Sequence, residues 1–305
     1  MPDKMHKNTQ NDPTCTPPEP PRTPAYASQM GSPTAPTASH SPHQVPNQAH
    51  NSPPHRTLNH DQNEQNRDRG DDDREKIAND HRSPLVVGIT GASGAAYALR
   101  LIELFLKADC QVHLVVSDYG KRLLADELGV RSLQFEALFA HLLAPGFVPV
   151  GLRPSESPDE AQRFANRHTQ LLIHPNKDVG AVIASGSFLH AGMVILPCTS
   201  TTLGSIASGA GSNLLCRAAA VSLKERRPLI LCHREMPLSL IDIENMARLT
   251  QAGATICPTN PGFYLEPKSI EDIVDFIVGK VLDLLHITHT LAIRWEAQPR
   301  KNAVR

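Results

Sequence analysis

Residues 84–94 join a short apolar run to a turn of small residues, and a helical pattern follows directly. Leu85 to Ile89 are apolar and rich in β-branched side chains, which is typical of a buried strand. Thr90-Gly-Ala-Ser-Gly94 forms the turn. A strand, turn and helix of this kind bring unpaired backbone N–H groups to a helix N-terminus, where the helix dipole favours an anion. The glycine spacing matches neither GxGxxG nor a P-loop, so a ligand-free tight turn is the alternative.

Apolar runs alternate with helical patterns along the rest of the chain. Residues 145–179 interrupt this alternation, and their prolines predict an irregular surface excursion with a helical piece near 159–172. Strand, helix and strand in alternation predict a three-layer α/β fold, a doubly wound parallel sheet of the Rossmann-like or flavodoxin-like kind. The predicted strands are 85–89, 111–117, 181–184, 192–197, 228–233 and 254–257. Helices are predicted at 95–106, 121–127, 132–143, from 203, at 213–226, from 237 with Ile241, Met246 and Leu249 inward, and at 269–285.

Composition divides the chain in two. Residues 1–82 are dominated by Pro, Asn, His, Gln, Ser and Thr and contain no Phe or Trp. A segment of this kind buries too little apolar surface to offset the entropy of ordering, so we predict a disordered low-complexity tail. Residues 83–305 are predicted to fold as one domain of ordinary size.

Charge and cysteine content narrow the classes of partner and compartment. The net charge is −1, which gives no indication of nucleic acid or of a membrane surface as partner. No stretch approaches the length of a membrane span. The six cysteines form no CxxC pair, so no zinc site is predicted. Reduced cysteines in apolar runs favour a cytoplasmic location.

Polar residues follow four of the predicted strands at their carboxyl ends, where open parallel sheets bind ligands. They are Thr90 to Ser93, Ser117, Cys198 to Thr202, and the pair Arg234-Glu235. Thr199 and the three hydroxyl residues after it precede a helix and exceed what an N-cap needs. The pattern therefore indicates a phosphate-bearing ligand at this edge of the sheet.

Several single residues admit two interpretations. Arg234 directly follows a buried strand, and Glu235 is either its partner or an acid/base group beside a phosphate. Tyr264 is either a loop anchor or a donor to phosphate. His233 has no ligand spacing and is interpreted as structural.

Six motifs in matching order give the chain a resemblance to a known family. They are Gly88-Ile-Thr-Gly-Ala-Ser-Gly94, Leu196-Pro-Cys-Thr-Ser-Thr-Thr-Leu203, Arg217-Ala-Ala, Leu223-Lys-Glu-Arg-Arg-Pro-Leu229, Arg234-Glu-Met-Pro-Leu238 and Pro261-Gly-Phe-Tyr264. Over about residues 84–296 the chain resembles the UbiX-type flavin prenyltransferases. The resemblance implies a fold that binds FMN and a dodecamer built from trimers. It also implies metal-independent transfer of a dimethylallyl group from dimethylallyl phosphate to N5 and C6 of reduced FMN. The product, prenylated FMN, would serve UbiD-type decarboxylases, for example in ubiquinone biosynthesis.

The matched motifs also imply roles for individual residues. Those that would bind the flavin and its phosphate are Gly91, Ala92, Ser93, Ser117, Thr199, Ser200, Thr201, Thr202 and Arg234. Those that would bind the prenyl phosphate are Lys224, Arg217, Tyr264 and Lys280. Glu235 would transfer a proton at the leaving phosphate, with Lys224 and Glu127 as the other catalytic residues. Glu127 aligns with a glutamate that reaches a neighbouring subunit's site.

One position departs from the family pattern. Lys280 stands where the final helix usually carries Arg, and Lys lacks the planar two-point grip of Arg on phosphate. We expect weaker phosphate binding or a shifted donor preference. The sequence leaves open whether the donor is a monophosphate or a diphosphate, and which decarboxylase receives the product.

Two other functions remain as alternatives. The first is an FMN-dependent cysteine-type decarboxylase on the same fold. Such enzymes use a His near the second strand and a Pro-x-Met-Asn motif, whereas His113 lies inside the strand and the motif is absent. The second is a flavin-binding module without catalysis, for which Lys224, Glu235 and Tyr264 would be unnecessary.

Overall fold

The computed structural model describes residues 83–293. The predicted tail 1–82 lies outside the described residues, and its boundary with the folded part stays a prediction. Six strands form one parallel sheet in the order β3-β2-β1-β4-β5-β6. This is the Rossmann strand order, so the predicted doubly wound sheet is confirmed. The strands are β1 (Leu85–Ile89), β2 (Val112–Val116), β3 (Leu171–Pro175), β4 (Gly192–Cys198), β5 (Leu229–His233) and β6 (Thr255–Ile256).

Helices connect these strands and cover both faces of the sheet. The described α-helices are α1 (Ala95–Lys107), α2 (Asp118–Leu128), α3 (Phe135–Leu138), α4 (Ala140–Leu143), α5 (Pro158–Ala165), α6 (Ser200–Ala207), α7 (Leu214–Lys224), α8 (Leu240–Gln251) and α9 (Ile270–Leu284). Single 3₁₀ turns lie at His168–Gln170 and Val182–Ala184.

Alternate residues of each central strand enter different cores, which produces the predicted three layers. Leu85, Val87 and Ile89 pack with α1, α2 and α9 on one face. Val86 packs with α6, α7 and α8 on the other face. A Cβ on Gly88 would lie 3.1 Å from a methyl carbon of Leu215, so α7 approaches β1 closely at this position. Because both faces are covered, the central strands are largely apolar, as buried parallel strands are.

The structure differs from the predicted elements in three places, and two of them concern strands. Leu171–Pro175 is strand β3, paired with β2 at the edge of the sheet, inside the segment predicted as an irregular excursion. An edge strand tolerates His174 and Pro175 because one side of it needs no partner. Val182–Ala184 is a 3₁₀ turn and not the predicted strand, although Ile183 is buried against the second core.

The orientation of α8 is the third difference. Ile241 was predicted to point inward but is 69% exposed, whereas Leu249 is buried as predicted. The first turn of α8 therefore presents an apolar side chain to solvent in the single chain.

Candidate active site

Hydrogen bonds join the turns that follow β1 and β4 at the carboxyl edge of the sheet. The Thr90 N–H and hydroxyl both donate to the Pro197 carbonyl, at 3.2 and 2.7 Å. The Thr199 N–H donates back to the Thr90 hydroxyl oxygen at 2.9 Å. The chain leaves β1 toward β2 and β3 and returns to β4 on the other side of β1. The crevice between these two strand ends is therefore the topological switch point, where sheets of this kind bind ligands.

The two flanking strands end beside the same crevice. The Ser117 N–H after β2 donates to the Ile89 carbonyl at 3.0 Å, and the Arg234 N–H after β5 donates to the Cys198 carbonyl at 3.2 Å. The Ser117 hydroxyl caps α2 by accepting from the Gly120 N–H at 3.0 Å. The polar residues predicted at four strand ends thus follow adjacent strands at one edge.

A carboxylate occupies the N-terminus of α1. Glu127 accepts from the Gly94 N–H at 3.1 Å and from the Ala95 N–H at 2.8 Å. These are two of the groups that a phosphate would need at this turn. Gly91 lies against the next turn, where a Cβ would stand 2.4 Å from the Cβ of Tyr119. The turn after β1 is therefore tightly packed, and the Glu127 carboxylate already lies at the N–H groups that follow it. Glu127 makes this contact within its own chain, and its implied reach into a neighbouring subunit stays a prediction.

The N-terminus of α6 provides a second anion position, with hydroxyl groups around it. Thr199 caps the helix by accepting from the Thr202 N–H at 3.2 Å, and its hydroxyl donates to the Thr202 hydroxyl at 3.0 Å. The Thr202 hydroxyl proton thus remains for another acceptor. The N–H groups of Ser200 and Thr201 belong to the first turn, which the helix itself does not bond. The Ser200 hydroxyl lies 3.1 Å from His233 Nε2. These donors fit a flavin phosphate.

Arg234 and Glu235 are exposed directly after β5. Glu235 accepts from the Met236 N–H at 3.2 Å. Tyr97 connects this segment with the first turn: burial raises the pKa of its hydroxyl, the Arg234 charge lowers it and the Glu127 charge raises it. The Tyr97 ring also packs against Gly94. Tyr97 is thus a candidate site residue that the sequence analysis did not identify, because it falls outside the apolar face of α1.

Lys224 lies at the amino-terminal ends of the strands, opposite the carboxyl ends where Arg234 and Glu235 lie. It ends α7, which crosses back from the carboxyl edge to the start of β5, and its Nζ pairs with Glu225 at 3.1 Å. The same Nζ lies beside Gly186, in the loop that leads into β4. The described chain therefore does not bring Lys224 to Arg234 and Glu235.

The other predicted donors to the prenyl phosphate are exposed. Arg217 is exposed on α7, and Tyr264 is half exposed and packs its ring against Phe276 at a centroid distance of 5.8 Å. Lys280 is exposed on α9. The hydrogen bond with Cys232, and to a smaller extent the charge of Lys280, lower the pKa of the Cys257 thiol. The convergence of Arg217, Tyr264 and Lys280 on one phosphate stays a prediction.

Within 83–293 no group of three or more His, Cys, Asp or Glu residues is placed to hold a metal ion. None of the helices in this part of the chain is long and apolar enough to span a membrane.

Comparison with known proteins gives consistent matches. The family model described as Flavoprotein matches residues 73–282. Flavin prenyltransferase UbiX of Halalkalibacterium halodurans is 41% identical over 215 residues, which cover 70% of this chain and 94% of that protein. Flavin prenyltransferase UbiX of Pseudomonas aeruginosa is 38% identical over 219 residues, 70% of this chain and 94% of that protein.

Solved structures show the same relationship. AnUbiX (PadA1), in complex with FMN and dimethylallyl pyrophosphate, has a TM-score of 0.56 and 32% identity, covering 71% of this chain and 99% of that chain. A dodecameric FMN-dependent UbiX-like decarboxylase from Escherichia coli O157:H7 has a TM-score of 0.55 and 34% identity, covering 70% of this chain and all of that chain. The similarity thus extends over the whole of both solved chains.

Proposed function

Because the chain belongs to the UbiX-type flavin prenyltransferases within the flavoprotein family, we propose that it transfers a dimethylallyl group from a dimethylallyl phosphate donor to N5 and C6 of reduced FMN. The observation that carries the proposal is the meeting of four polar strand ends at the switch point, with Arg234 and Glu235 beside a helix N-terminus suited to phosphate. We propose that the product, prenylated FMN, serves a UbiD-type decarboxylase.

The N-terminus of α6 would hold the FMN phosphate. The Ser200 and Thr201 N–H groups and the Thr202 hydroxyl donate there, and the helix dipole adds a favourable field. Reduced FMN supplies the nucleophilic nitrogen when it is bound. Gly91, Ala92 and Ser93 would lie along the flavin from the β1 side, and Ser117 from the β2 side.

Cleavage of the allyl–phosphate bond develops negative charge on the leaving phosphate. Arg234 would hold this phosphate and stabilise the developing charge through preorganised donors. Glu235 would carry a proton to the leaving oxygen, since its carboxyl is exposed beside Arg234. Glu127 and Tyr97 would fix the opposite wall, because both lie against the first turn.

A second copy of the chain would complete the site. Arg234 and Glu235 are followed by an exposed apolar stretch of Met236, Leu238, Leu240, Ile241 and Ile243. An apolar surface of this kind beside charged residues favours an interface between subunits. Lys224, at the other edge of the sheet, would reach the donor phosphate of a neighbouring subunit. We therefore propose a homo-oligomer, and the dodecameric relative supports twelve subunits.

The donor and the compartment are part of the same proposal. Dimethylallyl monophosphate is the donor that the resemblance implies, and the related structure with dimethylallyl pyrophosphate makes the diphosphate the competitor to test. The described cysteines form no disulfide, which supports a reducing compartment such as the cytoplasm.

The cysteine decarboxylase alternative is not favoured by the position of its expected histidine. His113 is 3% exposed inside β2, and its Nδ1 lies 2.9 Å from His174 Nε2. A substrate at the carboxyl edge would not contact it. A flavin-binding module without catalysis remains to be separated by experiment.

The test is mass spectrometry of the bound flavin after anaerobic incubation with reduced FMN and dimethylallyl phosphate. We expect a mass gain of one five-carbon unit in the wild type. Glu235→Gln should retain FMN and lose at least about 100-fold in prenylation rate, because a proton donor contributes that much. Glu136→Gln, an exposed glutamate of α3, is the matched control and should behave as wild type. Unchanged FMN in the wild type would instead support the binding module.

A further inference from the structure

A buried His and a buried Asp hold the first residue of α6. His233 is the last residue of β5, pairs in register with Cys198 of β4, and is 3% exposed. Its Nε2 lies 3.1 Å from the Ser200 hydroxyl oxygen. Asp242, in the first turn of α8, is 6% exposed. The Ser239 hydroxyl, and after it the Ser200 hydroxyl, lower the pKa of the Asp242 carboxyl, which places Asp242 beside Ser200. Residues from α6, β5 and α8 therefore meet at one hydroxyl group.

The donors and acceptors fix the direction of these bonds. A hydroxyl has one proton to donate, and beside Asp242 it must donate that proton, because a carboxylate with a lowered pKa has none to give. The second bond of the Ser200 oxygen must then be accepted from the Nε2–H of His233. Burial lowers the pKa of the His233 ring, although the Asp242 and Glu235 charges oppose this shift, so the ring is neutral. Donation to Ser200 then requires the Nε2–H tautomer.

Asp242 is itself held in place. Its Oδ2 accepts from the Ser239 hydroxyl at 2.6 Å and from the Ser239 N–H at 3.0 Å, which forms the capping box of α8. These bonds, with the one from Ser200, lower the pKa of Asp242 to about 2, so it remains an acceptor. The Asp242 carboxylate is therefore a fixed partner for the Ser200 hydroxyl.

A hydrolytic Ser-His-Asp triad is a different arrangement. There the base accepts the serine proton and the carboxylate orients the base. Here the serine proton goes to the carboxylate and the histidine donates, so neither group activates Ser200 as a nucleophile. His233 and Asp242 immobilise the Ser200 hydroxyl instead.

We propose that His233 and Asp242 are positioning residues for the flavin phosphate, which act by fixing Ser200 at the N-terminus of α6. The proposal rests on the FMN site proposed above and changes the role of one residue in it. With its proton committed to Asp242, the Ser200 hydroxyl does not donate to phosphate. Its contribution is to hold the Ser200 and Thr201 N–H groups in the direction of the ligand, where misplacement is costly.

The test compares the affinities for FMN and riboflavin, which differ only in the phosphate group. Titration with each oxidised flavin gives a preference ratio that isolates phosphate binding. We expect His233→Ala to reduce the preference for FMN about tenfold, the effect of one lost hydrogen bond with its positioning, while riboflavin affinity changes little. His233→Gln keeps an N–H at a similar reach and should restore most of the preference.

A double-mutant cycle separates positioning from direct contact. Ser200→Ala should lose the same preference as His233→Ala, and the double variant should lose no more than either single variant. If Ser200→Ala loses the preference for FMN over riboflavin and His233→Ala keeps it, the Ser200 hydroxyl binds phosphate directly and the proposal is wrong. Equal losses of both flavins in His233→Ala would indicate a merely structural role, and would also overturn it. A wild type that binds neither flavin would overturn the FMN site itself.

Discussion

The Glu127 carboxylate accepts two N–H groups at the start of α1, at 3.1 and 2.8 Å. An anion at this position is stabilised by the unpaired donors and by the helix dipole. The same donors were predicted to meet a phosphate, since small residues and a helix start favour any anion. The local sequence pattern predicts that an anion lies at this helix start. It does not distinguish a phosphate from the Glu127 carboxylate, 33 residues further along the chain.

Replacement of Glu127 by Gln tests this contact. The amide oxygen can still accept a hydrogen bond, but the negative charge at the helix N-terminus is lost. We expect the free energy of unfolding of the flavin-free protein to fall by about 1 kcal/mol. Urea denaturation at a fixed protein concentration measures the change, because assembly makes stability concentration-dependent.

Asp126→Asn is the matched control for this variant. Asp126 is an exposed neighbour on α2 that pairs with Arg122 at 3.3 Å. An exposed pair of this kind contributes about 0.5 kcal/mol or less. Equal destabilisation by the two variants would show that the helix terminus adds nothing to the Glu127 contact.

Tyr97 and His233 show which site residues the sequence does not reveal. Tyr97 lies one position from the apolar stripe of α1, so its pattern is that of any half-buried aromatic residue. His233 ends a buried strand and lacks ligand spacing, and its partners Ser200 and Asp242 come from two other elements. Motif reasoning finds residues that are adjacent in sequence, such as Arg234 and Glu235, but contacts across elements require the fold.

The edge of the sheet illustrates the same limit for whole elements. The central strands β1, β2, β4 and β5 were predicted within about two residues, because burial on both faces requires continuous apolar runs. β3 was not predicted, because an edge strand needs less apolar sequence and this one ends in His174 and Pro175. Its pairing partner, β2, carries His113 opposite Leu172.

The contact between β2 and β3 makes stability depend on pH. Burial and the neighbouring His174 lower the pKa of His113 from 6.5 to about 4. The unfolded chain therefore takes up a proton below about pH 6.5, while the folded chain takes it up only near pH 4. The contribution of the buried neutral His113 to the free energy of unfolding is complete above pH 6.5. It is lost as the pH falls from about 6.5 to about 4. The cost of acidification to pH 4 is about 3 kcal/mol.

Urea denaturation at pH 7.5, 6, 5 and 4.5 measures this acid limb. His113→Gln should have a shallower dependence than the wild type, because one buried neutral histidine is removed. His168→Gln, at an exposed position, should retain the wild-type slope. Parallel curves for the wild type and His113→Gln would exclude His113 as a source of acid sensitivity.

In the whole molecule, the proposed catalytic groups lie at opposite ends of the strands of one sheet. α7 runs back from the carboxyl ends of the strands, so Lys224 at its end lies beside Gly186, in the loop that leads into β4. Arg234 and Glu235 lie at the carboxyl edge and are followed by exposed apolar side chains from Met236 to Ile243. We therefore propose that a single chain holds halves of two different sites, which closed symmetry would join with their complements.

Mixed oligomers of two inactive variants test this arrangement. Lys224→Ala and Glu235→Gln should each abolish prenylation alone. If Lys224 completes a neighbour's site, random co-assembly in equal amounts places intact Lys224 beside intact Glu235 in about a quarter of the sites, since each subunit contributes independently. We therefore expect about a quarter of the wild-type rate from doubly tagged, co-expressed oligomers. Separately purified variants mixed without exchange are the control and should remain inactive. If the co-assembled oligomers are also inactive, both groups act within one chain, and α7 must then move far from the position it has here.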